Sequence, residues 1–186
     1  MTSLRPAKGR LLIAEPSIIG DVSFNRAVIL LAENNENGSV GFIMNKPLKY
    51  TLKDFVPEIG SNLPVYNGGP VEQDNLYFIH CVPEMIPGSI KISEGVYWGG
   101  DFDVILDLLK DDKLKRNQIR FFLGYSGWDK GQLTEELELN SWLVLPNPHN
   151  GSIIEKMSVE FWKEKMIELG GDYAIWSNAP ENPYLN

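Results

Sequence analysis

The sequence is poor in the residues that build metal sites and disulfides. Its 186 residues include one cysteine, Cys81, and two histidines, His80 and His149. A lone cysteine cannot close a disulfide within the chain, and no residues follow the spacing of a Cys-x-x-Cys or His-Glu-x-x-His metal site. The glycine-rich phosphate loops of nucleotide-binding proteins are missing as well. We therefore expect a protein of a reducing compartment, with no metal and no cofactor.

Long apolar runs are also missing. The longest covers residues 27–32, whereas a membrane helix needs about 18 consecutive apolar residues. The first eight residues carry positive charge without the apolar region of a secretory signal. The sequence therefore predicts a cytoplasmic protein that does not enter a membrane.

Basic side chains are outnumbered: 17 lysines and arginines stand against 25 aspartates and glutamates, for a net charge of −8. An acidic protein repels nucleic-acid phosphates unless a local basic patch overrides its mean charge. The densest candidate patch, diluted by Asp111 and Asp112, consists of Lys110, Lys113, Lys115, Arg116 and Arg120. We interpret this stretch as the solvated end of a helix and its following turn, and we expect no direct binding to nucleic acid.

What the sequence does contain is a mixture of short strand and helix patterns. Most strand patterns precede the first strong helix and are joined by tight turns such as Asn37-Gly38. This order predicts an α+β fold: a single compact domain over residues 1–186, with a curved, mainly antiparallel or mixed sheet and flanking helices. The predicted strands cover residues 10–14, 26–32, 40–45, 65–67, 76–81, 90–92, 96–98, 119–125 and 142–145.

Three helices are predicted, at residues 101–110, 132–139 and 158–169. Asp101 is a good N-cap for the first, and the apolar residues that follow it share one face: Phe102, Ile105, Leu106 and Leu109. The last helix is predicted to begin at the N-cap Ser158 and to end at Gly170, with a buried face made by Val159, Trp162, Met166 and Leu169.

One motif has the outline of a hydrolase nucleophile. Gly124-Tyr125-Ser126-Gly127-Trp128 follows a strand and precedes a helix, but a nucleophile elbow needs a small residue two places after its serine, where Trp128 stands. The pair His80-Cys81 suggests a thiol nucleophile. Consecutive side chains of a strand point to opposite faces, so we interpret Cys81 as a structural cysteine. Neither motif predicts catalysis.

Several blocks of the sequence together resemble the YqgE/AlgH family. The sharpest is Gly124-Tyr125-Ser126-Gly127-Trp128, which is followed by Gly131-Gln132-Leu133 and Glu136, and then by Asn140 and Trp142. Earlier blocks lie at residues 9–16, 41–47 and 68–71, in family order. The resemblance covers a core of about residues 9–145, to which the helix at 158–169 and an extended tail are added.

The resemblance implies a compact α+β fold with a curved, bifurcated sheet. It carries no catalytic residues over, and it brings the label of transcriptional regulator. No helix-turn-helix pair with a basic recognition helix is evident here, so we expect any regulatory role to be indirect, through a protein partner.

Three glycine-rich or polar turns are candidates for a shared surface at one sheet edge. The surface is predicted to consist of Asn45, Lys46, Pro47, Gly68, Gly69, Pro70, Gly124, Tyr125, Gly127, Trp128 and Gln132. Our leading hypothesis is a non-catalytic binding or regulatory domain that contacts a protein partner or a small ligand there. The alternative is an enzyme of unassigned class, a hydrolase or transferase, with a pocket near Lys46, Trp128 and Gln132.

Trp128 allows two interpretations. In the first, which we predict, the loop from Gly124 to Gln132 is a rigid turn that leaves Trp128 partly exposed beside the other two turns, as a recognition residue. In the second, Trp128 plugs the end of the core beneath the loop. Both interpretations remain open at the level of sequence.

Overall fold

A computed structural model describes residues 4–18, 21–156 and 159–180. Within those ranges it contains ten strands and four α-helices. The strands are β1 (Leu11–Ala14), β2 (Val28–Asn35), β3 (Gly38–Ile43), β4 (Pro47–Thr51), β5 (Pro64–Asn67), β6 (Val71–His80), β7 (Ile90–Ser93), β8 (Val96–Trp98), β9 (Ile119–Asp129) and β10 (Trp142–Leu145). The helices are α1 (Phe102–Lys110), α2 (Gln132–Glu138), α3 (Phe161–Leu169) and α4 (Gly171–Trp176). None of the helices in the described ranges is both long and apolar enough to cross a bilayer.

The sheet is mixed and forks at β9. Its main path has the order β10-β1-β2-β3-β9-β6-β8-β7, with antiparallel neighbours throughout. β3 pairs with residues 126–129 of β9, whereas β5 pairs in parallel with residues 121–123 and carries β4 on its far side. The predicted α+β class and the mixed, bifurcated sheet are therefore confirmed.

β9 separates two apolar clusters because its successive side chains point to opposite faces. Phe122 belongs to the larger cluster, which joins β1, β2 and β3 to α2 and α3. Its neighbour Phe121 belongs to the smaller one, which joins β5 and β6 to α1. Both rings are fully buried, so β9 is the central strand of the molecule.

Two predicted boundaries around the first hairpin and β9 are wrong. Asn35 pairs with Gly38, so the turn is Glu36-Asn37, one residue earlier than expected. Gly38 instead allows close contact with β9, because a Cβ there would lie 2.3 Å from the carbonyl oxygen of Trp128. β9 itself continues to Asp129 rather than ending at residue 125, because the β2–β3 hairpin supplies a partner for its second half.

The predicted helices are present, with changes at their ends. Asp101 caps α1: its Oδ1 accepts hydrogen bonds from the backbone N–H groups of Asp103 and Val104, at 3.0 and 3.2 Å. The predicted cap Ser158 lies outside the described residues, and α3 begins at Phe161. Val159 does not share the buried face, since it precedes the helix and is 59% exposed. α4, which starts directly after Gly170, is not predicted from the sequence.

Trp162 anchors α3 to the sheet, and its loss should be costly. The side chain is 3% exposed, and its Nε1 donates to the carbonyl of Ala14 at 2.7 Å. We expect Trp162→Ala to lower the free energy of unfolding by about 3–5 kcal/mol, because it leaves a large cavity and an unpaired carbonyl. Urea denaturation measures this loss. A loss below about 1 kcal/mol would contradict the packing of α3 against the sheet. The control is Ile167→Ala, which changes an apolar side chain on the exposed face of the same helix.

Candidate functional site

Two of the predicted glycine motifs meet where the chain crosses over β9. β5 and β6 lie on opposite edges of β9, yet only Gly68, Gly69 and Pro70 connect them. A Cβ on Gly68 would lie 2.2 Å from the carbonyl oxygen of Gly124, and one on Gly69 would lie 2.3 Å from the carbonyl carbon of Tyr125. The glycines are therefore needed because two backbones touch, and we call this contact the glycine crossing.

Ser126 fastens the glycine crossing instead of acting as a nucleophile. Its hydroxyl is fully buried and donates to the carbonyl of Gly68 at 3.1 Å. The same carbonyl accepts the N–H of Ile43 at 3.0 Å. Ser126 also lies inside a continuous strand rather than on a strand-to-helix turn, so the outline of a nucleophile elbow has no structural counterpart.

Asn45 and Lys46 hold the end of β3 to the segment before β2. The Asn45 side chain is buried; its Oδ1 accepts the N–H of Val28 and its Nδ2 donates to the carbonyl of Arg26, both at 2.9 Å. The Lys46 Nζ donates to the carbonyl of Ser23 at 2.7 Å. Pro47 is exposed and opens β4. These contacts give Asn45 and Lys46 a structural role in holding the two segments together.

Glu136 joins two tryptophans through one carboxylate. Its Oε2 accepts the indole N–H of Trp128 at 2.8 Å and that of Trp142 at 2.7 Å, and its Oε1 accepts from Gln132 Nε2 at 3.0 Å. The ring of Phe24 lies against both indoles, stacked on Trp128 and edge-on to Trp142. We call these five residues the indole clamp. It fixes α2 against the sheet.

Trp128 is 4% exposed, so the prediction of a partly exposed tryptophan is wrong and the core-plug interpretation describes it. The alternation along β9 places its side chain on the inner face together with Phe122 and Ser126. The predicted long turn is also shorter than expected. Only Lys130 and Gly131 separate β9 from α2, and the Asp129 N–H donates to Gln132 Oε1 at 3.0 Å.

An open groove lies over the β2–β3 hairpin and the second half of β9. Its volume is about 400 Å³, and it is lined by Glu33, Asn35, Asn37, Gly38, Ser39, Val40, Val71, Tyr125, Gly127, Trp128, Asp129 and Gln132. Four of the predicted residues contribute to this lining. The others, from Asn45 to Pro47, from Gly68 to Pro70, and Gly124, do not, so the groove does not join Lys46 to Trp128 and Gln132 as the enzyme alternative expects.

The groove is acidic and polar around an apolar floor. Glu33 and Asp129 supply two carboxylates, and the lining contains no lysine, arginine or histidine. Val40 and Gly127, which are cross-strand partners, form the floor. This set of side chains can bind cations and hydrogen-bonding groups. Among the described residues, no group of three or more histidine, cysteine, aspartate or glutamate side chains is placed to hold a metal ion.

One wall of the groove rests on an irregular stretch of β6. Val71 pairs with Tyr125 and Leu76 with Leu123, so residues 72–75 bulge out opposite Gly124 alone. Within the bulge, Glu72 has a φ of 49° and accepts hydrogen bonds from Asn75 and from Tyr77. The bond from Tyr77 lowers the pKa of Glu72, while burial and then this bond raise the pKa of Tyr77. Bulges of this kind often position side chains beside functional sites.

Sequence reasoning missed the hairpin half of the groove. The predicted surface contains no residue of the β2–β3 hairpin, and the bulge at residues 72–75 is not predicted from the sequence. The available signal was the polar run at 33–37, which is long for a two-residue turn.

One of the five residues of the basic stretch, Arg120, does not lie on the surface. Arg120 is 3% exposed and donates to the carbonyls of Met44 and Ile154, at 2.8 and 2.6 Å. Its burial lowers its pKa to about 10, and its guanidinium lies over the ring of Tyr66. Lys113 is paired with Asp111 at 2.8 Å. Arg120 is therefore a core residue.

His80 and Cys81 do not act on each other. The Nδ1 of His80 accepts the N–H of Val82 at 3.3 Å, and its Nε2 faces the carbonyl of Gly99 at 3.2 Å, which fits a neutral ring. Burial lowers the pKa of His80 and raises the pKa of the Cys81 thiol. A thiol that stays protonated at neutral pH is a poor nucleophile.

The buried ring of His80 should make stability depend on pH. Its folded pKa lies below the unfolded value of about 6.5, so the unfolded state binds the proton more readily. Its contribution is therefore present above about pH 6.5 and is lost as the pH falls through the folded pKa. In urea melts between pH 7 and 5, we expect His80→Asn to reduce the slope of stability against pH. An unchanged slope would contradict this assignment.

Comparison with known proteins places the chain among uncharacterised relatives. It is 39% identical over 186 residues to a UPF0301 protein of Bacteroides fragilis, covering 99% of this chain and 93% of that protein. It is 41% identical over 184 residues to a UPF0301 protein of Bacteroides thetaiotaomicron, covering 97% and 92%.

Solved structures share the fold. A crystal structure of a Corynebacterium diphtheriae protein aligns with a TM-score of 0.77 at 22% identity, over 96% of this chain and 95% of that one. The solution structure of the AlgH protein from Pseudomonas aeruginosa aligns with a TM-score of 0.72 at 25% identity, over 97% and 98%. The sequence model of the family described as AlgH-like matches residues 11–174 of this chain. The resemblance drawn from the sequence is thus confirmed, and the chain belongs to the AlgH-like family.

Proposed function

We propose that this chain is a non-catalytic binding domain that contacts a protein partner or a small ligand through the groove between the β2–β3 hairpin and β9. The observation that carries the proposal is the groove itself. Its volume of about 400 Å³ falls within the range of about 300–1,000 Å³ that is typical of ligand sites. Polar side chains surround its apolar floor, which is the arrangement that orients a bound group.

The chemistry of the lining favours binding over catalysis. Hydrolases and transferases of the expected kind need a nucleophile within hydrogen-bond reach of a base, or a cation beside the reacting group. Ser126 is buried beneath the glycine crossing, and Lys46 donates to a backbone carbonyl. The motif residues that suggested an enzyme are therefore used to build the fold.

A regulatory role fits the same groove only through a partner. Glu33 and Asp129 place negative charge where a phosphate backbone would otherwise approach, and the buried Arg120 adds nothing to a basic surface. We propose that a regulatory role of this chain acts through contact with another protein.

Amide chemical-shift mapping against a mixed library of small polar molecules and short peptides tests the proposal. We expect the binders to shift the amides of Val40, Gly127 and Asp129. The double variant Glu33→Lys/Asp129→Lys should change their affinity at least about tenfold. The control Glu58→Lys/Glu138→Lys alters two exposed residues outside the groove lining and changes net charge equally. Its affinity should stay within about twofold of the parent.

Two outcomes would contradict the proposal. Binders that shift only amides elsewhere would show that the groove is not the site. Turnover of a hydrolase or transferase substrate that disappears in Lys46→Ala would support the enzyme alternative instead.

A further inference from the structure

We propose that the natural occupant of the groove is an extended, cationic peptide segment of a partner protein, which adds as a strand to the open edge of β9 beside Gly127. This inference rests on the binding function proposed above and identifies the chemical class of the partner. Its evidence is the pairing of β9, the direction of its backbone groups, the shape of the groove and its charge.

The second half of β9 has a partner strand on one side only. β3 pairs with residues 126–129 along one edge. On the other edge, β6 pairs Val71 with Tyr125 and goes no further, because the chain before Val71 turns away into the glycine crossing. None of the described residues pairs as a strand with this edge beyond Tyr125. An unpaired strand edge is a template for a further strand.

The backbone groups of Gly127 point toward this edge. In an antiparallel pair, N–H groups two residues apart point the same way. The Asp129 N–H bonds to the side chain of Gln132, whereas the carbonyl of Trp128 faces Gly38 of β3. Tyr125 pairs with Val71 of β6. The N–H and carbonyl of Gly127, which lies between Tyr125 and Asp129 in the alternation, therefore face the open edge and offer one donor and one acceptor to an added strand.

The groove accommodates the side chains of such a strand. A peptide residue opposite Gly127 would direct its side chain onto the same face of the sheet as the groove. Gly127 leaves room there because it has no side chain of its own. A Cβ at this position would lie 3.0 Å from Cε2 of Tyr125, so glycine also lets the Tyr125 ring lie close to the floor.

The charge of the lining selects a cationic segment. Asp129 is two residues from Gly127 on the same face, and Glu33 lies across the floor opposite Val40. The lining contains no cationic side chain, so lysine or arginine in the added strand gains attraction, whereas acidic segments are repelled. The uncharged polar residues Asn35, Asn37 and Ser39 supply further hydrogen-bonding groups.

Three capped octapeptides test the proposal on the full chain. The first alternates lysine with valine or threonine. The second replaces each lysine with glutamate. The third keeps the lysines but replaces the valines and threonines with proline, which removes backbone N–H donors. We expect only the first to bind well. It should slow hydrogen exchange of the Gly127 amide at least about tenfold, and the affinity should fall at least about tenfold in Glu33→Lys/Asp129→Lys but not in Glu58→Lys/Glu138→Lys.

The outcomes separate this proposal from the binding function. Equal affinity for the proline peptide, or binding without protection of Gly127, would overturn strand addition. Equal affinity for the glutamate peptide, or a stronger groove contact with single-stranded DNA at low salt, would overturn the choice of partner. A small polar molecule that binds in the groove while all three peptides fail would overturn the peptide proposal and leave the binding function standing. Failure of every peptide and every library compound at the groove would overturn both.

Discussion

Glu136→Ala should lower the free energy of unfolding by about 3–5 kcal/mol. The substitution removes the acceptor of two indole N–H groups, those of Trp128 and Trp142, and both side chains are almost fully buried. Each buried donor left without a partner costs about 1–3 kcal/mol, and bonds to a charged acceptor lie at the upper end of the range. The Gln132 side chain also loses its hydrogen bond to Glu136 within α2. Urea denaturation followed by far-ultraviolet circular dichroism measures the change.

Two further variants make this result specific to the indole clamp. Glu138→Ala removes an exposed carboxylate from the same helix and should change stability by no more than about 0.5 kcal/mol. Glu136→Gln keeps one acceptor oxygen but places an amide donor near the indoles, so it should fall between the other two. A loss in Glu136→Ala no larger than that in Glu138→Ala would show that the indoles find other acceptors.

Gly124→Ala should have an even larger effect, because it obstructs the glycine crossing. A Cβ at Gly124 would lie 2.6 Å from the carbonyl oxygen of Val71 and 2.7 Å from that of Gly69. Both neighbours are backbone atoms in paired or crossing segments and cannot rotate away. We expect a loss of at least about 4 kcal/mol or failure to fold, which belongs to the exceptional class of single substitutions.

Gly60→Ala is a closely matched control for Gly124→Ala. The two glycines have nearly equal φ angles, 63° and 66°, but a Cβ at Gly60 would meet nothing within 4 Å. Both variants therefore carry the same left-handed strain of about 1–2 kcal/mol, and only Gly124→Ala carries the steric contact. Equal thermal midpoints for the two variants would show that the crossing can relax.

Local patterns predicted those parts of the fold that local forces determine. The cap at Asp101 and the apolar periodicity after it depend on neighbours three and four residues away, and α1 appears where expected. The apolar run that forms β10, stopped by Pro146, is equally local, and its bounds are correct. The end of β9 was missed because it depends on pairing with a hairpin about 90 residues earlier in the chain.

The candidate site was harder to predict, since its motif residues have roles that only tertiary contacts reveal. Gly68, Gly69 and Gly124 were interpreted as turn residues. In the structure, the backbone at Gly68 and Gly69 packs directly against the backbone at Gly124. Trp128 was predicted to lie partly exposed in a turn between Gly124 and Gln132. The alternation along β9 was the better guide, since it continues past Ser126 and carries the tryptophan inward.

The glycine crossing has a consequence for the order in which the molecule assembles. β5 and β6 are consecutive in the chain, but the strand that lies between them arrives about 40 residues later in synthesis. Until Ile119–Asp129 has left the ribosome, the edges of β3, β5 and β6 have no central partner. Contacts between residues so far apart in sequence slow folding, and they leave unpaired, aggregation-prone strand edges exposed in the nascent chain. Assembly of the core therefore waits for β9, whose insertion between β3, β5 and β6 closes both halves of the core at once.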